Sequence, residues 1–173
     1  LGMMPATEDG SKMINYILEE TKSGGEMVVS DDAYTKGRID LQLIPYYNRI
    51  VNLCFYLERN PDVKFIENLE KLMDDPNIKG YKTSEYNQTR WRIYGANLEL
   101  LLAVAAIRCG SMKGTECLIN YLEDIHSNFR YFSRNELCSV YGKDGGYDRA
   151  AWRKLVKDKK SVKVSPLKKS IEV

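Results

Sequence analysis

Residues 96–107 form the stretch that most restricts the fold. They run Ala-Asn-Leu-Glu-Leu-Leu-Leu-Ala-Val-Ala-Ala-Ile, and only Asn97 and Glu99 are polar. A helix apolar on nearly every side has no face to give to water, so it belongs in the middle of a fold with other elements around it. Its alanines would let those neighbours approach closely. Thr83 or Ser84 can cap such a helix and Gly110 can stop it, which predicts a central helix over residues 84–109. The expected class is all-α: one irregular bundle of five to seven helices wrapped around this one.

The flanking sequence supplies the wrapping helices. Met13, Ile14, Ile17 and Leu18 recur at helical spacing after Ser11, and Ser23, Gly24 and Gly25 close that segment. Residues 26–30 could be a short strand or an extended connector. Ser30, Asp31 and Asp32 offer caps for a stretch that Pro45 must break near Ile44. Tyr46, Tyr47, Ile50, Leu53, Cys54 and Leu57 then mark one amphipathic helix. Asn60 reads as the N-cap of the next, with Pro61 at its first position and Val63, Ile66, Leu69, Leu72 and Met73 on its buried side. Gly114 and Thr115 open a helix with Leu118, Leu122, Ile125 and Phe129 as its stripe. Ser133 and Glu136, three apart, match a capping box for a short helix through Leu137 and Val140. After a turn at residues 141–146, Asp148 caps a last basic helix carrying Trp152, Leu155 and Val156.

Charge divides the chain unevenly. Nine basic residues follow from Arg149 onward against Asp158 and Glu172, a balance of 9 − 2 = +7 in a chain of net +2, which leaves 2 − 7 = −5 for residues 1–148. Residues 1–160 read as one helical domain and residues 161–173 as a basic, flexible tail or edge strand. A basic tail on an acidic body suggests an anionic partner. The longest apolar run, residues 100–107, is far short of the roughly 20 residues a bilayer requires. The start at Leu1, Gly2, Met3 and Met4 does not read as a signal peptide. Cys54, Cys109, Cys117 and Cys138 form no CxxC pair, so reduced, packed thiols and an intracellular, cytoplasmic setting are expected.

Residue types for catalysis are few. The single histidine, His126, has Glu123 three positions before it as an orienting carboxylate, but no nucleophile can be assigned to it. A half-buried surface histidine is the simpler reading. One His and four scattered Cys have no zinc spacing, and residues 143–148 lack the ligand pattern of a calcium loop. Residues 110–115 lack the P-loop spacing, although a helix start there could hold an isolated anion. No cofactor and no metal are expected, and an enzyme ranks last.

Aromatic and basic residues interleave at three places. Arg90, Trp91, Arg92 and Tyr94 begin the central helix. Phe129, Arg130, Tyr131, Phe132 and Arg134 form the second stretch. Tyr147, Arg149, Trp152, Arg153, Lys154 and Lys157 form the third. Cationic grooves with stacking aromatics bind single-stranded nucleic acid, which makes Arg90, Arg92, Arg130, Arg134, Arg149, Arg153, Lys154 and Lys157 the candidate anion-binding set. The plainer reading is that the aromatics are core residues flanked by arginines that reach out to water. Twelve tyrosines also suit an interface. The leading expectation is therefore a non-enzymatic interaction protein, self-associating or bound to another protein, with RNA or single-stranded DNA as the alternative partner.

Overall fold

The computed structural model describes residues 45–75, 90–157 and 162–167, with residues 12, 15, 16, 19 and 159; side chains are described for all of these except residues 45–47 and 90–95. The expected strand at residues 26–30, the caps at Ser11, Ser30, Thr83 and Ser84, and the first part of the central helix lie outside the described residues. Within them the chain is an all-α bundle of six helices with no strand. In order these are α1 (Pro45–Arg59), a 3-10 turn (Val63–Phe65), α2 (Ile66–Asp74), α3 (Arg90–Cys109), α4 (Met112–Tyr121), α5 (Ser127–Tyr141) and α6 (Arg149–Val156).

Helix α3 is the centre, as its composition requires. Ala96, Leu98, Leu102, Ala103, Ala105, Ala106, Ile107 and Cys109 are wholly buried. It is in contact with α1, α2, α4, α5 and the 3-10 turn. The closest approach is to α4. A Cβ built on Gly114 would stand 2.7 Å from the Ala103 carbonyl oxygen and 2.8 Å from the Ile107 nitrogen. Only a glycine facing alanines lets the two helices cross this tightly. Helix α1 begins at Pro45, where the ring's fixed φ suits a first turn, and buries Ile50, Leu53, Cys54 and Leu57 against α3.

The structure moves four sequence-based boundaries. Asn60 does not open α2; its amide and its backbone N–H both return to the Tyr56 carbonyl and finish α1. Asp62 is the cap instead, accepting from Lys64 N, so the chain enters through the 3-10 turn with Phe65 buried and Val63 60% exposed. The helix expected to run on to Phe129 stops at Tyr121. Asp124 accepts from the His126 backbone N–H at 2.8 Å, a local bond that competes with helix continuation and turns Ile125 outward. The capping box at Ser133 and Glu136 is a chance match: both lie inside α5, Ser133 is fully buried and its hydroxyl finds no acceptor. Asp148 does cap α6, through Ala150 N and Ala151 N, but that helix ends at Val156. Its Trp152 is wholly buried against Tyr141 and donates from Nε1 to the Gly146 carbonyl at 2.9 Å. Leu155, expected as a further anchor, is exposed.

The segment after α6 also departs from expectation. Val162 is buried, and residues 162–167 lie along the ends of α1 and α3, where three of their N–H groups are bonded. Cys54, Cys109, Cys117 and Cys138 form no disulfide.

The α3–α4 crossing gives a direct check. Gly114→Ala forces backbone against Cβ, and overpacking of this kind costs about 1–3 kcal/mol. A fall of several degrees in Tm by thermal denaturation is expected, and an unchanged Tm contradicts the crossing described.

Candidate interaction surface

Three of the six arginines nominated by the sequence are already paired with carboxylates of the fold. Arg149 and Arg153, one turn apart on α6, face Asn120 and Glu116 on α4 and Glu123 in the turn that follows it. Arg153 holds Glu116 through Nε at 3.0 Å and Asn120 through Nη2 at 2.9 Å, and Arg149 pairs with Glu123. Positions 116 and 120 share one face of α4 and Glu123 follows just past its end, so α6 is joined to this part of the chain by a strip of charge. Arg134 on α5 grips Asp144 with both Nε and Nη2, and its guanidinium lies 5.3 Å over the Tyr147 ring. Asp144 is held down to about 2 by that bond first and by the Gly146 N–H second.

Arg130 donates to two backbone carbonyls, Asp124 O at 2.5 Å and Ile125 O at 3.2 Å, and pairs with no carboxylate. It borders a shallow cleft of about 560 Å³ with Ser127, Asn128, Tyr131 and Tyr147. Lys154 and Lys157 are exposed. Arg90 and Arg92 are in the first turn of α3, and their side chains lie outside the described residues. The structure thus brings Arg130, Arg134, Arg149 and Arg153 to α5 and α6, with three of the four bound to carboxylates.

His126 is oriented by Asp124, not Glu123. Its Nδ1 is 2.8 Å from Asp124 Oδ1, its ring packs 5.2 Å from Phe129, and Glu123 is engaged by Arg149. The buried thiols of Cys54 and Cys109 are not activated. Burial pushes Cys54 well above its usual value and Cys109 up to about 11, whereas a nucleophilic thiol is shifted down. The helix start at residues 110–115 is filled by the protein itself: Ser111 Oγ accepts from Gly114 N and donates to Glu70 at 2.6 Å. No group of His, Cys, Asp and Glu suited to a metal is found among the described residues. No helix among them is long and apolar enough to cross a membrane.

The sequence reading missed two features. One is Arg108, 1% exposed at the end of α3. Its Nη2 donates to Glu136 at 2.7 Å and to Ser139 at 3.3 Å, and its Nη1 to the Ser165 carbonyl at 3.2 Å. A lone cation in the last turn of an apolar helix was the available signal. The other is an apolar groove of about 430 Å³ between α1, α3 and α5. Leu100 and Phe129 are nearly buried in it, and Val51, Leu101 and Phe132 are half-buried. Asn97 and Asn128 supply its amides, and Phe55 is 43% exposed beside it. Phe55 falls off the buried stripe of α1, and a large aromatic in that position was its sequence signal.

Comparison with known proteins returns no relative: no protein-family model, no curated protein and no solved structure matches the chain.

The charge strip predicts a gain of function. The double substitution Glu116→Gln with Glu123→Gln frees Arg149 and Arg153. At about 0.15 M salt, binding of a single-stranded RNA in a mobility assay should tighten by roughly tenfold over the unaltered protein. Equal binding by both proteins would show that these arginines are not held in reserve by Glu116 and Glu123.

Proposed function

We propose that the protein is a non-enzymatic interaction protein that self-associates through the groove between α1, α3 and α5, with a second copy of the chain as the occupant. The observation that carries this is Phe55, 43% exposed at a hollow of about 430 Å³. One patch then offers both a projecting aromatic and a cavity of aromatic size. A two-fold contact needs that self-complementarity, because each copy presents the same surface to the other. The floor of Leu100 and Phe129 is already packed, so little ordering is required on association. Asn97 and Asn128 are uncharged polar groups of the kind that fix register without the cost of burying an ion.

The basic C-terminal region has a separate role in this reading. Lys154 and Lys157 are exposed, and with Arg130 they are the members of the nominated set, among the described side chains, that are not paired with a carboxylate. They are the contacts for an anionic partner. Single-stranded nucleic acid is the second reading, favoured by Tyr131 and Tyr147, exposed by 60% and 44%, beside Arg130. It ranks second because Arg134, Arg149 and Arg153 are spent within the fold.

Light scattering over a concentration series tests the first reading. The unaltered protein is expected to approach twice the chain mass. Phe55→Asp should remain a monomer with unchanged helical circular dichroism, since burying an unpaired carboxylate at the contact costs several kcal/mol. A monomer at about millimolar concentration, or a Phe55→Asp variant of undiminished mass, refutes it.

A further inference from the structure

We infer that the cleft beside the start of α5 holds a single nucleotide unit, with its phosphate on Arg130 and its base against Tyr131 and Tyr147. This rests on the nucleic-acid reading above for the class of ligand, and adds the unit that is recognised. Among the described residues five line the cleft: Ser127, Asn128, Arg130 and Tyr131 from α5, and Tyr147 from the turn before α6. None of the five is acidic. The volume of about 560 Å³ suits a small ligand, whose sites span roughly 300–1,000 Å³.

The spacing along α5 builds one wall. Positions 127, 130, 131 and 134 recur at intervals of three and four, so they share a face of the helix. Tyr131 is 60% exposed there. Arg134, further along the same face, grips Asp144 of the following turn and lies 5.3 Å over the Tyr147 ring. The second aromatic is thus tied to the helix face by a cation whose charge is already balanced. Tyr147 is 44% exposed. Large rings left open to water have area to give to another ring, and two of them in one cleft suit a flat heterocycle.

Arg130 supplies the charge. Its Nη1 is spent on the carbonyls of Asp124 and Ile125. Those two bonds fix the guanidinium, so little side-chain freedom remains to be lost on binding. They leave Nε and Nη2, neighbouring donors along one edge, and that edge matches two oxygens of a phosphate. No acceptor among the described residues takes these donors. One guanidinium balances one phosphate, and no lysine is among the lining residues to take a second or third. That selects a nucleoside monophosphate, or one phosphate of a strand, over a triphosphate. Ser127 and Asn128, both exposed, add a hydroxyl and an amide that can hydrogen-bond the edge of a base. The ring of a phosphotyrosine has no such edge, so the lining favours the nucleotide.

An NMR titration of the full chain with adenosine monophosphate tests this, with adenosine, inorganic phosphate and phosphotyrosine as comparisons. Amide shifts of residues 127–131 and 147 are expected to saturate with adenosine monophosphate, at an affinity about tenfold or more above each comparison. Tyr131→Ala, which removes one stacking partner, should weaken binding about fivefold or more. Arg130→Lys keeps the charge and loses the fork, and should weaken it roughly tenfold. No saturation, shifts confined to other residues, phosphotyrosine bound as tightly, or an unmoved affinity in either variant overturns the inference. A single-stranded oligonucleotide in a mobility assay separates the two sources of the unit. Oligonucleotide binding weakened by both variants puts the unit in a strand. Adenosine monophosphate bound without any oligonucleotide binding keeps the site for a free nucleotide and refutes the nucleic-acid reading. Oligonucleotide bound equally by the unaltered protein and both variants keeps that reading and sinks this site.

Discussion

The need to bury α3, apolar on nearly every side, is the constraint from which the rest of the structure follows. No single neighbour can cover a helix that is apolar all round, so α1, α2, α4 and α5 must each take part of it. Small residues set how close they come: Gly114 of α4 sits on Ala103 and Ala106. Where small residues give way to Leu100 and Leu101, between α1 and α5, the cover is incomplete, and the groove is what remains. At the C-terminal end the same helix carries its buried cation. Arg108 can be tolerated there because Glu136, Ser139 and the Ser165 carbonyl receive its protons. The groove and the docking of residues 162–167 are thus two consequences of one buried helix, at its side and at its end.

The basic residues show how composition misleads about partners. Net charge counts Arg134, Arg149 and Arg153 as available, yet each is bonded to a carboxylate of the same fold. Exposed pairs of this kind contribute about 0–1 kcal/mol each, so they orient α6 on α4 more than they hold it. The hold comes from Trp152, wholly buried, whose truncation to alanine would cost about 3–5 kcal/mol. Gly145 gives that ring its room, since a Cβ there would come within 2.9 Å of it.

The all-α class and the place of α3 were legible because strong, long apolar patterns leave few alternatives. Pro45 and Asp148 were legible for a local reason: a fixed φ and a capping carboxylate act within three residues. Local motifs failed where tertiary contacts decided between two chemically equal choices. Asn60 and Asp62 are both good caps, and burial of Phe65 settled which one was used. Ser133 and Glu136 have capping-box spacing, but Glu136 is engaged by Arg108, 28 positions away. The docking of residues 162–167 was hidden for the same reason, because their partners, Glu58, Arg108 and Gly110, are distant in sequence and use backbone atoms. Of the nominated site, the sequence could show which residues carried charge but not which carboxylates would meet them. The groove is formed by three separated helices, and only the off-stripe Phe55 marked it in advance.

The central claim is that α3 is the scaffold on which the other elements depend. Native-state hydrogen exchange in rising denaturant measures this most directly. Amides of residues 102–107 should exchange only through global unfolding, with the steepest denaturant dependence in the protein, while α6 and residues 162–167 open at lower free energy. If α3 instead exchanges through a local opening, with α1, α4 and α5 still protected, the helix is not the core on which they rest, and the account fails.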